Sequence, residues 1–203
     1  MKRLAPVLLA VLAIAGCGAT EGNISGGGKV IGRTVTVYSV LTDPAGASRD
    51  FVDGEKLALA DAGGRAGELA VNFTSLDLGG TDDKTQAEAV RRAISDPQII
   101  AVVADATSVT VPLFNAAGIL QVAPGGDLSL ATDPRALPSG TPTVGQPTGS
   151  APPDLDARFR AAFGRAPTAE AEEGYRAMAG IVRAIAATGA AGTDRAQVID
   201  SYL

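Results

Sequence analysis

Residues 82–103, DDKTQAEAVRRAISDPQIIAVV, decide the fold. From Asp82 to Ser95 the apolar residues Ala87, Val90, Ala93 and Ile94 recur at helical spacing, while Lys84, Glu88, Arg91 and Arg92 fill the opposite face. Pro97 marks the exit from that helix, since proline lacks a backbone donor and its ring clashes with the preceding turn. Ile99–Val103 then follows as an unbroken apolar run. A strand with one wet face alternates polar and apolar, so a run without polar positions predicts a strand buried on both faces, as in a parallel sheet.

The same alternation extends outward. Thr34–Val40 is β-branched and reads as a strand. Ser48–Ala62 carries Phe51, Val52, Leu57, Leu59 and Ala60 at helical spacing, with Ser48 as a candidate N-cap and Gly63-Gly64 as the stop. Leu69–Leu76 reads as a second strand, Thr110–Ala117 as a short helix and Ile119–Val122 as a fourth strand. Strands alternating with helices predict an α/β fold: a three-layer parallel sheet with right-handed crossovers and helices on both faces.

Between Pro124 and Pro153 the pattern lapses. Seven prolines punctuate this stretch and no apolar period survives, so it reads as a long loop or linker. Helix returns at Asp154–Phe163 and at Ala169–Thr188, where Tyr175, Met178, Ile181, Val182 and Ile185 share a face and read as core. Thr193-Asp194 offers a cap for a last helix that runs to Leu203 without a stop signal, which suggests a chain cut short.

The amino end has the parts of a secretory leader: Lys2 and Arg3, then an apolar stretch from Val7 to Ile14 too short to span a bilayer, then small residues. Ile14-Ala15-Gly16-Cys17 resembles a bacterial lipobox. The resemblance implies cleavage before Cys17, a lipid on its sulfur and anchorage of the exported protein to the cell membrane, facing the periplasm or exterior. A plain secreted protein and a plain apolar helix are the competing readings. Gly18–Lys29, with three consecutive glycines, reads as a tether from residue 17 to residue 29.

Composition excludes several chemistries. There is no histidine and Cys17 is the one cysteine, so a Cys/His zinc site, a Ser-His-Asp triad and a Cys-His pair are ruled out. The formal charge is −5, and removal of residues 1–16 with Lys2 and Arg3 makes it −7. An acidic body with 4% aromatic residues argues against nucleic acid as a partner. Asp77, Asp82 and Asp83 read as solvated loop and helix-start carboxylates, not metal ligands, and Asp43, Asp50 and Asp53 as surface charges.

Leu41-Thr42-Asp43-Pro44-Ala45-Gly46, Leu57-Ala58-Leu59-Ala60-Asp61-Ala62-Gly63-Gly64, a strand ending at Asp77, Asp96–Val103, Ser108, and Ala117-Gly118-Ile119 leading to Ala123-Pro124 follow one another in a set order. In that order and spacing they resemble the first lobe of a type 1 periplasmic solute-binding protein of the branched-chain amino-acid transporter kind. Phe159–Pro167 and Gly174–Met178 resemble the family's late helical segment. The division this implies is a lobe-one domain over 30–133, a linker over 134–153 replacing most of lobe two, and a helical segment over 154–203 packing back on lobe one.

The resemblance implies a small-molecule solute of the amino-acid class, an ABC transporter permease as partner, no cofactor and no enzymatic activity. It places a ligand at Ser108 and neighbouring Thr107, at Gly125 and Asp127, and near Ser48. Ser108 reads equally as the N-cap of its helix, whereas Asp127 reads first as a turn residue after Gly126. Asp127 stands where the family has a threonine, and its carboxylate would repel an amino-acid carboxylate. A single lobe leaves a ligand half exposed, so a partner or a second copy in a homodimer would complete the cleft. A lipoprotein that keeps the fold as an interaction or structural module is the alternative.

Overall fold

The computed structural model describes residues 28–42, 47–77, 81–125 and 128–203. The chain runs β1 (Thr34–Leu41), α1 (Ala47–Asp61), β2 (Arg65–Ala66), β3 (Leu69–Asp77), α2 (Asp83–Ile94), β4 (Ile99–Ala104), α3 (Thr110–Ala116), β5 (Leu120–Val122), β6 (Val144–Gly145), α4 (Leu155–Phe163), α5 (Ala169–Ala187) and α6 (Arg195–Tyr202). Six strands form one sheet in the order β2-β3-β1-β4-β5-β6. β1 pairs in parallel with β3 and β4, and β5 with β4 and β6; the two-residue β2 is antiparallel to β3. The α/β sheet expected from residues 82–103 is present, with helices on both faces.

Side-chain alternation along β1 divides the core. Val35 and Val37 point to α1, α5 and α6, where Phe51, Met178, Ile181 and Ile185 meet them. Val40 points the other way, toward Val90 and Ala93 of α2 and Phe114 of α3. β4 has no exposed position, as its uninterrupted apolar run predicts. Complete burial of Met178, Ile181 or Ile185 is worth roughly 1.5–3 kcal/mol each. α2 starts where Asp82 caps it, accepting from Lys84 N at 3.1 Å and Thr85 N at 3.0 Å.

α1 lies against α5 at backbone distance. A Cβ added to Gly54 would stand 2.0 Å from Ala171 O, and one added to Gly174 would stand 2.0 Å from Phe51 O. The helices cross where neither has a side chain. Around this crossing, charges read from sequence as surface groups are in fact tied down. Arg165, just after α4, places Nη1 2.6 Å from Asp50 and Nη2 2.6 Å from Asp53, while its guanidinium lies 5.0 Å from the Phe159 ring centroid. Asp53 is buried and also receives Lys56 at 3.2 Å. Tyr175 donates to Asp61 at 2.7 Å, and Arg158 pairs with the same carboxylate. Burial, reinforced by Asp61, pushes the Tyr175 phenol up to about 12.

Glu55 on the same helix differs. Glu55 is fully buried facing Ser39 of β1, and neither its carboxyl oxygens nor the Ser39 hydroxyl makes a well-formed hydrogen bond. Desolvation raises its carboxyl well above the ordinary carboxylate range, with Ser39 and Lys56 opposing.

The stretch read as a linker carries structure of its own. Val144–Gly145 within it is β6, held by Gln121 N to Thr143 O at 2.8 Å and Ala123 N to Gly145 O at 2.8 Å. Ala131, Ala136, Leu137 and Val144 form a third apolar cluster with Val111 and Ala123. Fully buried Asn115 of α3 organises the approach to β6: its amide donates to Thr141 O at 2.8 Å and Thr143 Oγ1 at 3.1 Å, and its carbonyl accepts from Ser139 N at 2.9 Å. Tyr202 of α6 donates to Gln146 O at 2.7 Å, fastening the exit from β6.

At the opposite end of the sheet the chain entry meets α6. Val30 N donates to Thr193 O at 2.8 Å, and Lys29 pairs with Asp194, which also caps α6. Among the described residues no helix is long and apolar enough to cross a membrane.

Candidate functional site

Strand order locates the crevice. The connection from β1 leads outward to β3, and the connection from β3 leads back across to β4 on the far side of β1. The crevice of an open α/β sheet opens between the carboxyl ends of such neighbouring strands. A cavity of about 180 Å³ lies there, walled by Leu41 and Thr42 at the end of β1, Asp105 after β4, and Pro124 and Gly125 after β5. Ser48 and Phe51 of α1 and Glu170 and Glu173 of α5 complete the wall.

Two kinds of donor face this crevice, and the protein's own carboxylates take both. Thr42 donates its backbone N–H to Asp105 Oδ2 at 2.9 Å and its hydroxyl to the same oxygen. Gly125 adopts φ 80°, a left-handed conformation suited to glycine, and its N–H donates to Glu173 Oε1 at 3.0 Å. The Asp105 turn is held from below by buried Gln121, whose amide donates to Asp105 O at 3.0 Å, and by Thr110, whose hydroxyl reaches the same carbonyl at 2.5 Å.

The electrostatics are lopsided. Asp105, Glu170 and Glu173 line the cavity, and among the described residues no lysine or arginine joins its walls. The Thr168 hydroxyl holds the Glu170 carboxyl below its ordinary value. The cations lie next door: a second cavity of about 530 Å³ shares Leu41 and Ser48 with the first and is lined by Arg49 and Lys56. A third, of about 400 Å³, lies beyond Glu173 and is lined by Gln146, Glu172 and Arg176.

The residues singled out in the sequence separate in space. Ser48 and Gly125 both line the crevice. Thr107 turns inward: its hydroxyl donates to Gln86 Oε1 at 2.8 Å and accepts from Thr110 N at 3.1 Å, so it serves the start of α3. Ser108 is exposed and is not among the lining residues. Asp127 and Cys17 lie outside the described residues. Thr42, Asp105 and Glu173 escaped the sequence reading. Asp105 had a usable signal, since it immediately follows a fully buried strand in a parallel sheet. Glu173 had none.

No protein-family profile matches the chain, and no curated protein does. Solved structures do. One, from Rhodospirillum rubrum and assigned to branched-chain amino acid ABC transport, superposes with a TM-score of 0.60 at 13% identity, over 83% of this chain and 88% of that one. Another, a branched-chain amino acid ABC transporter periplasmic ligand-binding protein from Burkholderia xenovorans LB400, superposes with a TM-score of 0.51 at 15% identity, over 83% and 82%. The chain is similar to both in fold.

Proposed function

We propose that this chain is an exported solute-binding protein, lipid-anchored through Cys17, that presents an amino acid or similar small polar solute to an ABC transporter. One observation carries the reading. In a fold similar to that of periplasmic ligand-binding proteins, the crevice at the carboxyl ends of β1, β4 and β5 is concave and walled by Thr42, Ser48, Asp105 and Gly125. The Ser48 hydroxyl and the carboxylates of Asp105, Glu170 and Glu173 suit recognition of a small polar molecule that carries hydrogen-bond donors.

A ligand that binds only the folded state raises the melting midpoint. A thermal melt of the full chain against amino acids and small polar metabolites should show one cooperative transition, moved upward by one chemical class. A cooperative transition that no compound moves refutes solute binding. The anchor has its own test: Cys17→Ser should leave the membrane fraction, whereas unchanged mobility and fractionation refute lipidation.

One observation favours the alternative, a lipoprotein that keeps this fold as an interaction module. The crevice, at about 180 Å³, falls below the roughly 300–1,000 Å³ of ordinary small-molecule sites. A second copy or another protein seated over the strand ends would enlarge it, and a homodimer would appear as doubled mass in solution.

A further inference from the structure

We infer that Glu173 is the specificity-determining residue of the crevice: a resident carboxylate that fills the seat at Gly125 and shuts out the carboxylate of an incoming solute. The inference rests on the solute-binding reading above and narrows its solute, away from amino acids and toward amines and neutral polar molecules.

A backbone N–H at the carboxyl end of a parallel strand, in an exposed turn, is a ready donor to an anion. What it prefers is visible in the protein itself, because Gly125 N already holds a carboxylate oxygen of Glu173 at 3.0 Å. The contact is not local. Glu173 arrives from the second turn of α5, 48 positions along the chain, and α5 is fixed to α1 by the glycine crossing at Gly54 and Gly174. The side chain is therefore delivered to the crevice by a rigid helix and not by a loop free to swing away. Thr42 is occupied in the same manner by Asp105. A solute carboxylate would have to displace Glu173 and then sit beside Asp105 and Glu170, with no cation among the described residues of the wall. Each term disfavours it.

Glu173 also stands between two spaces. It lines both the 180 Å³ crevice and the 400 Å³ cavity bounded by Gln146 and Arg176. Shortening it frees the Gly125 N–H and joins the crevice to a space that contains a guanidinium. With Glu173 present, the class admitted is a small polar solute without a carboxylate to seat at Gly125, an amine or a neutral molecule. With it removed, carboxylates gain both a donor and a cation.

The test uses the full chain and three probes of one shape: leucine, 3-methylbutylamine and 4-methylpentanoate. Calorimetric titration of the wild type should find the amine bound at least as tightly as leucine, and the acid unbound. Glu173→Ala should bind the acid at least tenfold tighter than the wild type does and the amine more weakly. Glu173→Gln keeps an oxygen that accepts from Gly125 N–H, so it should still exclude the acid. Equal affinity of wild type and Glu173→Ala for the acid overturns the inference and leaves solute binding standing. So does acid binding by Glu173→Gln as strong as by Glu173→Ala, since charge and not occupancy would then be responsible. No binding of any probe to any of the three proteins overturns the inference, and a melt that no compound of the wider panel moves overturns the solute-binding reading with it.

Discussion

Gly54 of α1 and Gly174 of α5 let two helix backbones touch. Each occupies the place where the other helix brings up a carbonyl, and a Cβ on either would stand 2.0 Å from that oxygen. This crossing fixes α5, and with α5 the carboxylates Glu170 and Glu173 that wall the crevice.

The first prediction follows from that distance. Ala is favoured over Gly in a helix by about 1 kcal/mol, but here the added carbon has only backbone to displace. Gly54→Ala or Gly174→Ala should force the helices apart and destabilise the fold by about 2–3 kcal/mol net. Urea melts should show a lower midpoint at nearly unchanged slope; a midpoint equal to or above wild type would refute the close crossing.

Glu55 predicts the pH dependence of stability. Its folded-state carboxyl titrates well above the unfolded value because burial disfavours the charge. Between those two values the folded chain holds a proton that the unfolded chain has released, so stability falls as pH rises through that window, by up to about 1.4 kcal/mol per pH unit. Glu55→Gln should remove this component. The difference between variant and wild-type melting midpoints should widen from pH 4.5 upward, and a constant difference would show that Glu55 is charged in the folded state.

Arg165 is the shared partner of Asp50 and Asp53. Arg165→Ala leaves two largely buried carboxylates facing each other and should cost about 2–3 kcal/mol. Arg165→Lys, without the fork, should recover only part. The double change Arg165→Ala with Asp53→Asn should be less destabilised than Arg165→Ala alone; simple additivity of the two would refute the pairing.

Asn115 tests the packing of the segment before β6. Asn115→Ala removes three hydrogen bonds, two of them from an amide that is wholly buried, and should destabilise by about 2 kcal/mol. Hydrogen exchange should quicken at Gln121 and Ala123, whose amides bond to Thr143 and Gly145, before it quickens in β1. Uniform acceleration throughout the sheet would contradict a separable edge.

The alternating elements were legible in the sequence to within a residue or two because each carries its own period. Ile99–Val103 announces a buried strand regardless of context, and Asp82 announces a helix start by chemistry confined to three residues. What escaped depends on distance along the chain. Asp53 reads as a surface charge because its partner Arg165 lies 112 positions away. β6 is two residues long, too short to show alternation, and is recruited by Gln121 and Asn115 from earlier elements. The crevice divides in the same way: Gly125 and Ser48 sit at strand and helix ends that the pattern locates, whereas Glu173 is one acidic residue on a helix face until α5 is packed.

The stitching of Lys29 and Val30 to Thr193 and Asp194 gives the molecule a polarity. That junction sits at the starting edge of the sheet, where Arg195 also reaches Ile99 O at 2.9 Å, while Thr42, Asp105 and Gly125 lie at the finishing edge, one full strand length away. Eight residues of β1 separate the two poles by roughly 26 Å. The crevice therefore opens at the pole opposite the Lys29–Asp194 junction, and a pull applied at that junction is borne first by α6 and not by the mouth of the crevice.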